Sequence, residues 1–135
     1  MKDLSIVIIF LCVLIIFTAC SSDGHFDSEK WKYKYDMAYP YRPDMIQSII
    51  NSELLTNKKF YEVLDLLGEP NNTDTIDNCK ISCIYEVQES YGWNIDPLYR
   101  SWLVIEFNLK TNETESVEFM QTEDKRSILE KIFTE

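Results

Sequence analysis

Histidine is almost missing from this chain: His25 is the only one in 135 residues. Nucleophilic catalysis needs a nucleophile, a base and an orienting group within reach of one another, and a lone imidazole near the N-terminus supplies no such set. Only three glycines occur, and neither a Gly-rich phosphate loop nor a Gly-x-Ser-x-Gly elbow is present. Positive charge is also scarce. Thirteen Lys and Arg stand against 23 Asp and Glu, a formal net charge of −10, which excludes the basic footprint of a nucleic-acid binder. It also excludes flat adsorption on anionic lipid. Four prolines and three glycines are too few for a low-complexity chain. These absences point away from an enzyme and away from any cofactor.

Long hydrophobic runs are absent but for one. Leu4 to Phe17 is almost wholly apolar, with Lys2 and Asp3 ahead of it. A membrane-spanning helix wants about 20 apolar residues, whereas this run has the length of a signal-peptide core. Phe17-Thr18-Ala19-Cys20 closes it, the arrangement of a bacterial lipobox with Phe17 where Leu is usual. The reading is a lipoprotein signal peptide over 1–19, acylation at Cys20, and a lipidated tether over 20–26. An uncleaved signal anchor with an incidental cysteine is the alternative. Acyl chains on Cys20 would make membrane lipid the first partner, since two or more chains anchor stably where one does not. Ser21, in place of Asp, resembles an outer-membrane address. The expected location is the bacterial cell envelope, lipid-anchored, at the outer membrane.

Cysteine then needs separate accounts. Cys12 leaves with the leader and Cys20 is lipidated. Cys79 and Cys83 would meet an oxidising compartment. Residues four apart on a straight strand stand about 13 Å apart, beyond the roughly 7 Å limit for a disulfide. Either both are strand cysteines on one face, or Lys80-Ile81-Ser82 makes a tight turn and the two bond. Two thiols and one remote His do not make a metal site. Asn72-Thr73-Asp74-Thr75-Ile76-Asp77 lacks the ligands and the Gly of a calcium loop and reads as a solvated turn.

The remainder, 27–135, reads as a single domain. Asp27 to Tyr41 alternates Lys30, Lys32 and Lys34 with Trp31, Tyr33 and Tyr35, which suits an extended segment with one apolar face: a partner-binding strip, or a segment laid over the core. A helix starts near Pro43, with Met45, Ile46, Ile49 and Ile50 on one face. A second, capped by Thr56 or Asn57, carries Phe60, Val63, Leu64 and Leu67. Gly68 in a left-handed conformation and Pro70 end it. Asn71 to Asn78 reads as turn. Cys79 to Gln88 alternates, with Cys83, Tyr85 and Val87 on one face. A loop from Glu89 to Pro97 holds Tyr91, Trp93 and, just beyond it, Tyr99, three candidate partner-binding aromatics. Arg100 to Leu109 is the strongest strand, with Leu103, Ile105, Phe107 and Leu109 inward. Lys110 to Glu113 makes a hairpin turn, and Glu115 to Met120 the next strand. Thr122 caps a short C-terminal helix with Ile128, Leu129, Ile132 and Phe133 as its stripe. Helices followed by an antiparallel meander make an α+β fold: two N-terminal helices on a three- to four-stranded antiparallel sheet, plus the C-terminal helix.

Arg42-Pro43-Asp44-Met45 opening a helix, Leu54-Leu55 before a second helix, and Val63-Leu64-Asp65-Leu66-Leu67-Gly68-Glu69-Pro70 resemble the SmpA/OmlA (BamE-like) lipoproteins over about Asp27 to Gln121. Leu103-Val104-Ile105-Glu106-Phe107 resembles that family's central strand. The same pattern recurs in β-lactamase-inhibitor-like modules. The resemblance implies two helices on one face of a curved sheet, no enzymatic activity, and an accessory role in outer-membrane assembly. The expected function is a lipid-anchored, non-catalytic interaction module with an envelope protein partner. The alternative is an envelope enzyme inhibitor or small-ligand-binding lipoprotein on the same scaffold.

Replacing Cys20 with Ser should release the protein from membranes or leave it as unprocessed precursor, because the thiol is the only nucleophile there that can accept a diacylglyceryl group. Radiolabelled palmitate incorporated into the Cys20→Ser form would refute the lipoprotein reading.

Overall fold

Trp31 is completely buried, and a helix forms around it. The computed structural model describes residues 25–92 and 96–123. Within them, helix α1 spans Ser28–Lys32. Five residues are far too few for a helix stable on its own. Two things hold this one. Asp27 Oδ1 accepts from the Lys30 N–H at 3.1 Å, satisfying one orphan donor of the first turn. Burying a Trp removes 150–250 Å² from water, worth about 4–6 kcal/mol gross at 25 cal/mol per Å². The extended segment expected from Asp27 to Tyr41 is therefore corrected. Lys/aromatic alternation gave a period of two, but one ring, Trp31, belongs to the core, while Tyr33 and Tyr35 stay exposed.

Helix α2 spans Arg42–Asn51, with Pro43 in its first turn. Met45, Ile46 and Ile49 are buried; Ile50, expected on the same face, is exposed. Helix α3 spans Phe60–Leu67. Its cap is Lys59, not Thr56 or Asn57. The Lys59 N–H donates to Glu62 Oε2 at 2.7 Å, while Thr56 and Asn57 lie in the preceding turn. Phe60 N–H donates to Asn112 O, and Thr114 N–H to Lys58 O at 2.8 Å, so the helix start is tied to the sheet. Val63 and Leu67 are buried. Gly68 ends the helix at φ 75°, ψ −169°. This is not the left-handed helical basin but a region open essentially only to glycine. α1 closes the frayed end of α3: Ser28 Oγ donates to Leu66 O and Lys32 Nζ to Asp65 O, both at 2.6 Å. Orphan carbonyls and the negative end of the helix dipole are met together.

The sheet has four antiparallel strands in the order β1-β2-β3-β4. They are β1 Asn72–Asp77, β2 Lys80–Tyr91, β3 Pro97–Asn108 and β4 Glu113–Glu123. The α+β class and the antiparallel meander are as expected. Strand β1 is a correction. All six of its residues are exposed, so no apolar alternation betrays it; Thr73, Thr75 and Ile76 suit a ladder that needs no buried face. The loop expected from Glu89 to Pro97 is shorter: β2 and β3 continue until Tyr91 pairs with Pro97. Trp93 lies outside the described residues, as does Cys20. Thr122, expected at a helix start, lies within β4. It pairs with Arg100 of β3, which still offers a partner there. The stripe from Ile128 to Phe133 lies outside the described residues.

Cys83, Tyr85, Val87, Leu103, Ile105 and Phe107 turn one face of the sheet into the core with Trp31, Met45, Ile46, Ile49, Leu55, Val63 and Leu67. Leu109 lies past the strand and is exposed. Phe60 and Phe107 meet edge-to-face at 5.2 Å, and Phe26 and Tyr85 flank Trp31 at 6.3 and 6.5 Å. Cys79 sits in the β1–β2 turn, not in a strand. Lys80-Ile81-Ser82 is strand rather than tight turn, and both thiols are free. Burial pushes the Cys83 thiol up to about 11, so it stays neutral and unreactive.

Leu67 is 1% exposed at the centre of this packing. Leu67→Ala should cost about 2–5 kcal/mol, read from urea unfolding of the mature domain. An unchanged midpoint would mean that the helix does not bear on the sheet.

Candidate functional site

Arginine is seldom fully buried unless paired, yet Arg42 is 2% exposed. Its Nε donates to Trp31 O at 3.0 Å, and Nη1 donates to Asn71 Oδ1 at 3.1 Å and to Glu86 O at 2.5 Å. The guanidinium lies 3.4 Å over the Tyr39 ring and 4.9 Å from that of Trp31. Burial lowers its pKa to about 10, against attraction from Tyr39 and Glu86, so it is still a cation at neutral pH. One side chain thus joins the end of α1, the start of α2, the residue before β1, and the middle of β2. The Asn71 side chain links them further, donating to Tyr39 Oη at 3.1 Å and accepting the Glu86 N–H at 2.9 Å.

Tyr39 and Glu86, both held by this hub, also line a surface groove. From Tyr35 the chain makes a tight two-residue turn. Tyr35 and Ala38 exchange N–H···O bonds of 2.9 Å each. Asp36 and Met37 between them take φ of 43° and 68°. Positive φ at both central positions is the signature of a type I′ turn, which ordinarily calls for Asn or Gly. Asp tolerates it; Met does not, and left-handed backbone costs such a residue about 1–2 kcal/mol. No burial offsets that cost, because Met37 is 81% exposed.

Asp36, Met37, Ala38, Tyr39, Pro40 and Pro43 form one wall of the groove; Glu86, Val87, Gln88, Glu89 and Tyr91 form the other, around about 390 Å³. Tyr91, which lines it, is 56% exposed, and Tyr35, at the start of the turn, is 67% exposed. Tyr33 and Tyr41 continue the aromatic surface with rings 5.7 Å apart. Tyr91 donates to Glu89 Oε2 at 2.6 Å, and Glu89 Oε1 pairs with Arg100 Nε at 2.8 Å. Burial, and repulsion from Glu89, push the Glu86 carboxyl up despite Arg42 and Lys34 nearby. The groove is therefore aromatic, Met-tipped and acidic.

Of the three aromatics expected to bind a partner, Tyr91 lines the groove. Tyr99 does not; it donates to Gln121 Oε1 on β4 at 3.3 Å. Trp93 lies outside the described residues. Sequence reading missed Arg42, Met37 and Tyr39 as a unit. Lys/aromatic alternation drew notice to this stretch, but nothing in it marks a buried arginine or a left-handed methionine. Among the described residues no three His, Cys, Asp or Glu side chains cluster as metal ligands, and no helix is long and apolar enough to cross a membrane. No protein-family model, curated protein or solved structure matches the chain.

Arg42→Lys should destabilise the domain by about 2–4 kcal/mol, because an ammonium cannot reach all three acceptors or stack on Tyr39, and buried acceptors left empty cost about 1–3 kcal/mol each. Denaturant unfolding of the variant gives the number. A loss under about 1 kcal/mol would show that the fork geometry is dispensable.

Proposed function

We propose that this protein is a lipid-anchored, non-catalytic protein-interaction module of the bacterial cell envelope, built on the SmpA/OmlA (BamE-like) plan of helices packed on one face of an antiparallel sheet. The observation that carries this reading is the turn at Asp36 and Met37. A chain that holds an apolar side chain in water on a strained backbone retains it for something other than stability. Methionine and tyrosine are well suited to a contact surface: the thioether adapts its shape, and the phenol pairs a large apolar area with few rotors. Met37 and Tyr91 line a groove whose Tyr39 and Glu86 are held by Arg42, so little ordering remains to be done on binding.

The lipobox ending at Cys20 supports attachment to a membrane, by way of acyl chains and not by charge, since the chain is strongly acidic. Fully extended, the stretch from Cys20 to Asp27 reaches at most about 25 Å, which keeps the groove within a domain's width of the lipid surface. The partner sought is then another envelope protein, and an accessory role in outer-membrane assembly or maintenance follows from the family likeness.

Met37→Gly separates the two roles of this residue. Glycine takes the left-handed conformation freely, so stability should hold or rise by up to about 1 kcal/mol, while crosslinking of the lipoprotein to envelope proteins in intact cells should fall several-fold. Tyr91→Ala should act likewise on crosslinking. Unchanged crosslinked species in both variants would rule this surface out as the binding site.

A further inference from the structure

Strand β2 outruns strand β1. Their ladder starts at Asn72 opposite Ile84. One step further, the side chains of Asn71 and Arg42 take the N–H and C=O of Glu86. From Val87 to Tyr91, β2 has β3 on one flank and the groove on the other. No described residue forms a backbone ladder with it from the groove side. An open strand edge is a template for another chain, and soluble proteins usually cover or blunt it.

The facing wall cannot complete the ladder. Pro40 and Pro43 have no N–H to give, and the Tyr35–Ala38 pairing is spent within its own turn. The groove thus has one wall of unladdered main chain and one wall of Met37, Ala38, Tyr39 and Pro40. That is the anatomy of strand addition, in which main-chain bonds give affinity and side-chain pockets read alternate residues. Charge narrows the guest. Asp36, Glu86 and Glu89 line the groove. The cations beside it are engaged already: Arg42 with main-chain oxygens and Asn71, Arg100 with Glu89, and Lys34 over the Tyr39 ring at 5.5 Å.

Taking the groove as the binding surface described above, we propose that the open edge of β2 from Val87 to Tyr91 receives an extended segment of the envelope protein partner as a fifth strand, a segment that carries Lys or Arg among its apolar residues. Basic side chains meet Glu86 and Asp36, and apolar ones lie against Met37 and Tyr39.

The test uses the mature lipoprotein in detergent micelles and a panel of capped pentapeptides, X-Lys-X-Lys-X with X as Val, Thr, Phe or Tyr. Hydrogen exchange should slow across Val87–Tyr91 on adding at least one of them. Backbone N-methylation of that peptide, which removes its donors and leaves its charges, should weaken binding about tenfold, the equivalent of one or two hydrogen bonds. The Asp36→Asn/Glu86→Gln double variant should bind it several-fold more weakly and with less dependence on salt. Protection that survives N-methylation, or none with any peptide, would overturn strand addition. In either case, crosslinking to envelope proteins that still depends on Met37 and Tyr91 would leave the interaction surface standing without it; crosslinking independent of both would remove the surface as well.

Discussion

Among the described residues one buried cation, Arg42, bonds to helix and sheet at once. Arg42 reaches a carbonyl at the end of α1, the side chain of the residue before β1 and a carbonyl within β2, and it does so from the first turn of α2. Among the described residues no carboxylate forms an ion pair with it, though Glu86 lends attraction from further off; its close partners are oxygens of the main chain and of Asn71, and tyrosine and tryptophan rings. A guanidinium tolerates this better than an ammonium: it is weakly hydrated, planar and able to stack. Removing it would leave those acceptors dry and uncompensated, the more damaging half of a buried polar interaction. Trp31 depends on the same contact. Its indole Nε1 is buried without a partner, and the stacked cation over its ring is part of what offsets that loss.

Much of the core was legible because it follows simple periods. Val63 and Leu67 repeat at four; Leu103, Ile105 and Phe107 repeat at two; all are buried. Elements that lack such a period were misread. β1 buries nothing, and hydrophobic alternation cannot report a strand held only by its ladder. α1 is short enough for one Trp to decide it, while its Lys/Tyr neighbours carried a false period of two. Ends failed for a different reason. β2, β3 and β4 all run past their last inward apolar residue, because a partner strand continues to offer hydrogen bonds.

The groove was legible only in part, through Tyr91. Its other wall depends on backbone dihedrals that the residue names argue against: few sequences would suggest a type I′ turn at Asp-Met. Places where local preference and structure disagree tend to be places where something other than stability is at stake. The sheet face opposite the core carries a further hollow, formed by Ile84, Trp102, Val104 and Met120 beside Asn71, Asn72 and Glu86. Strand alternation alone produces it, with no strained residue and no unladdered main chain.

The wholly exposed strand β1 acts as a gatekeeper. Its register with β2 spans five pairs, each bond worth about 0.5–1.5 kcal/mol net, against about 1–2 kcal/mol of backbone entropy for every residue it orders. That ladder alone does not offset the ordering, which puts β1 among the least stable parts of the described fold. When it lifts, the main chain of Lys80–Ile84 is bared as well, and the available edge of β2 doubles in length. Asp74 and Asp77 put negative charge on the outer strand of the sheet, the kind of edge residue that discourages pairing with another chain, so a strand that contributes nothing to the core carries the charges that blunt this edge.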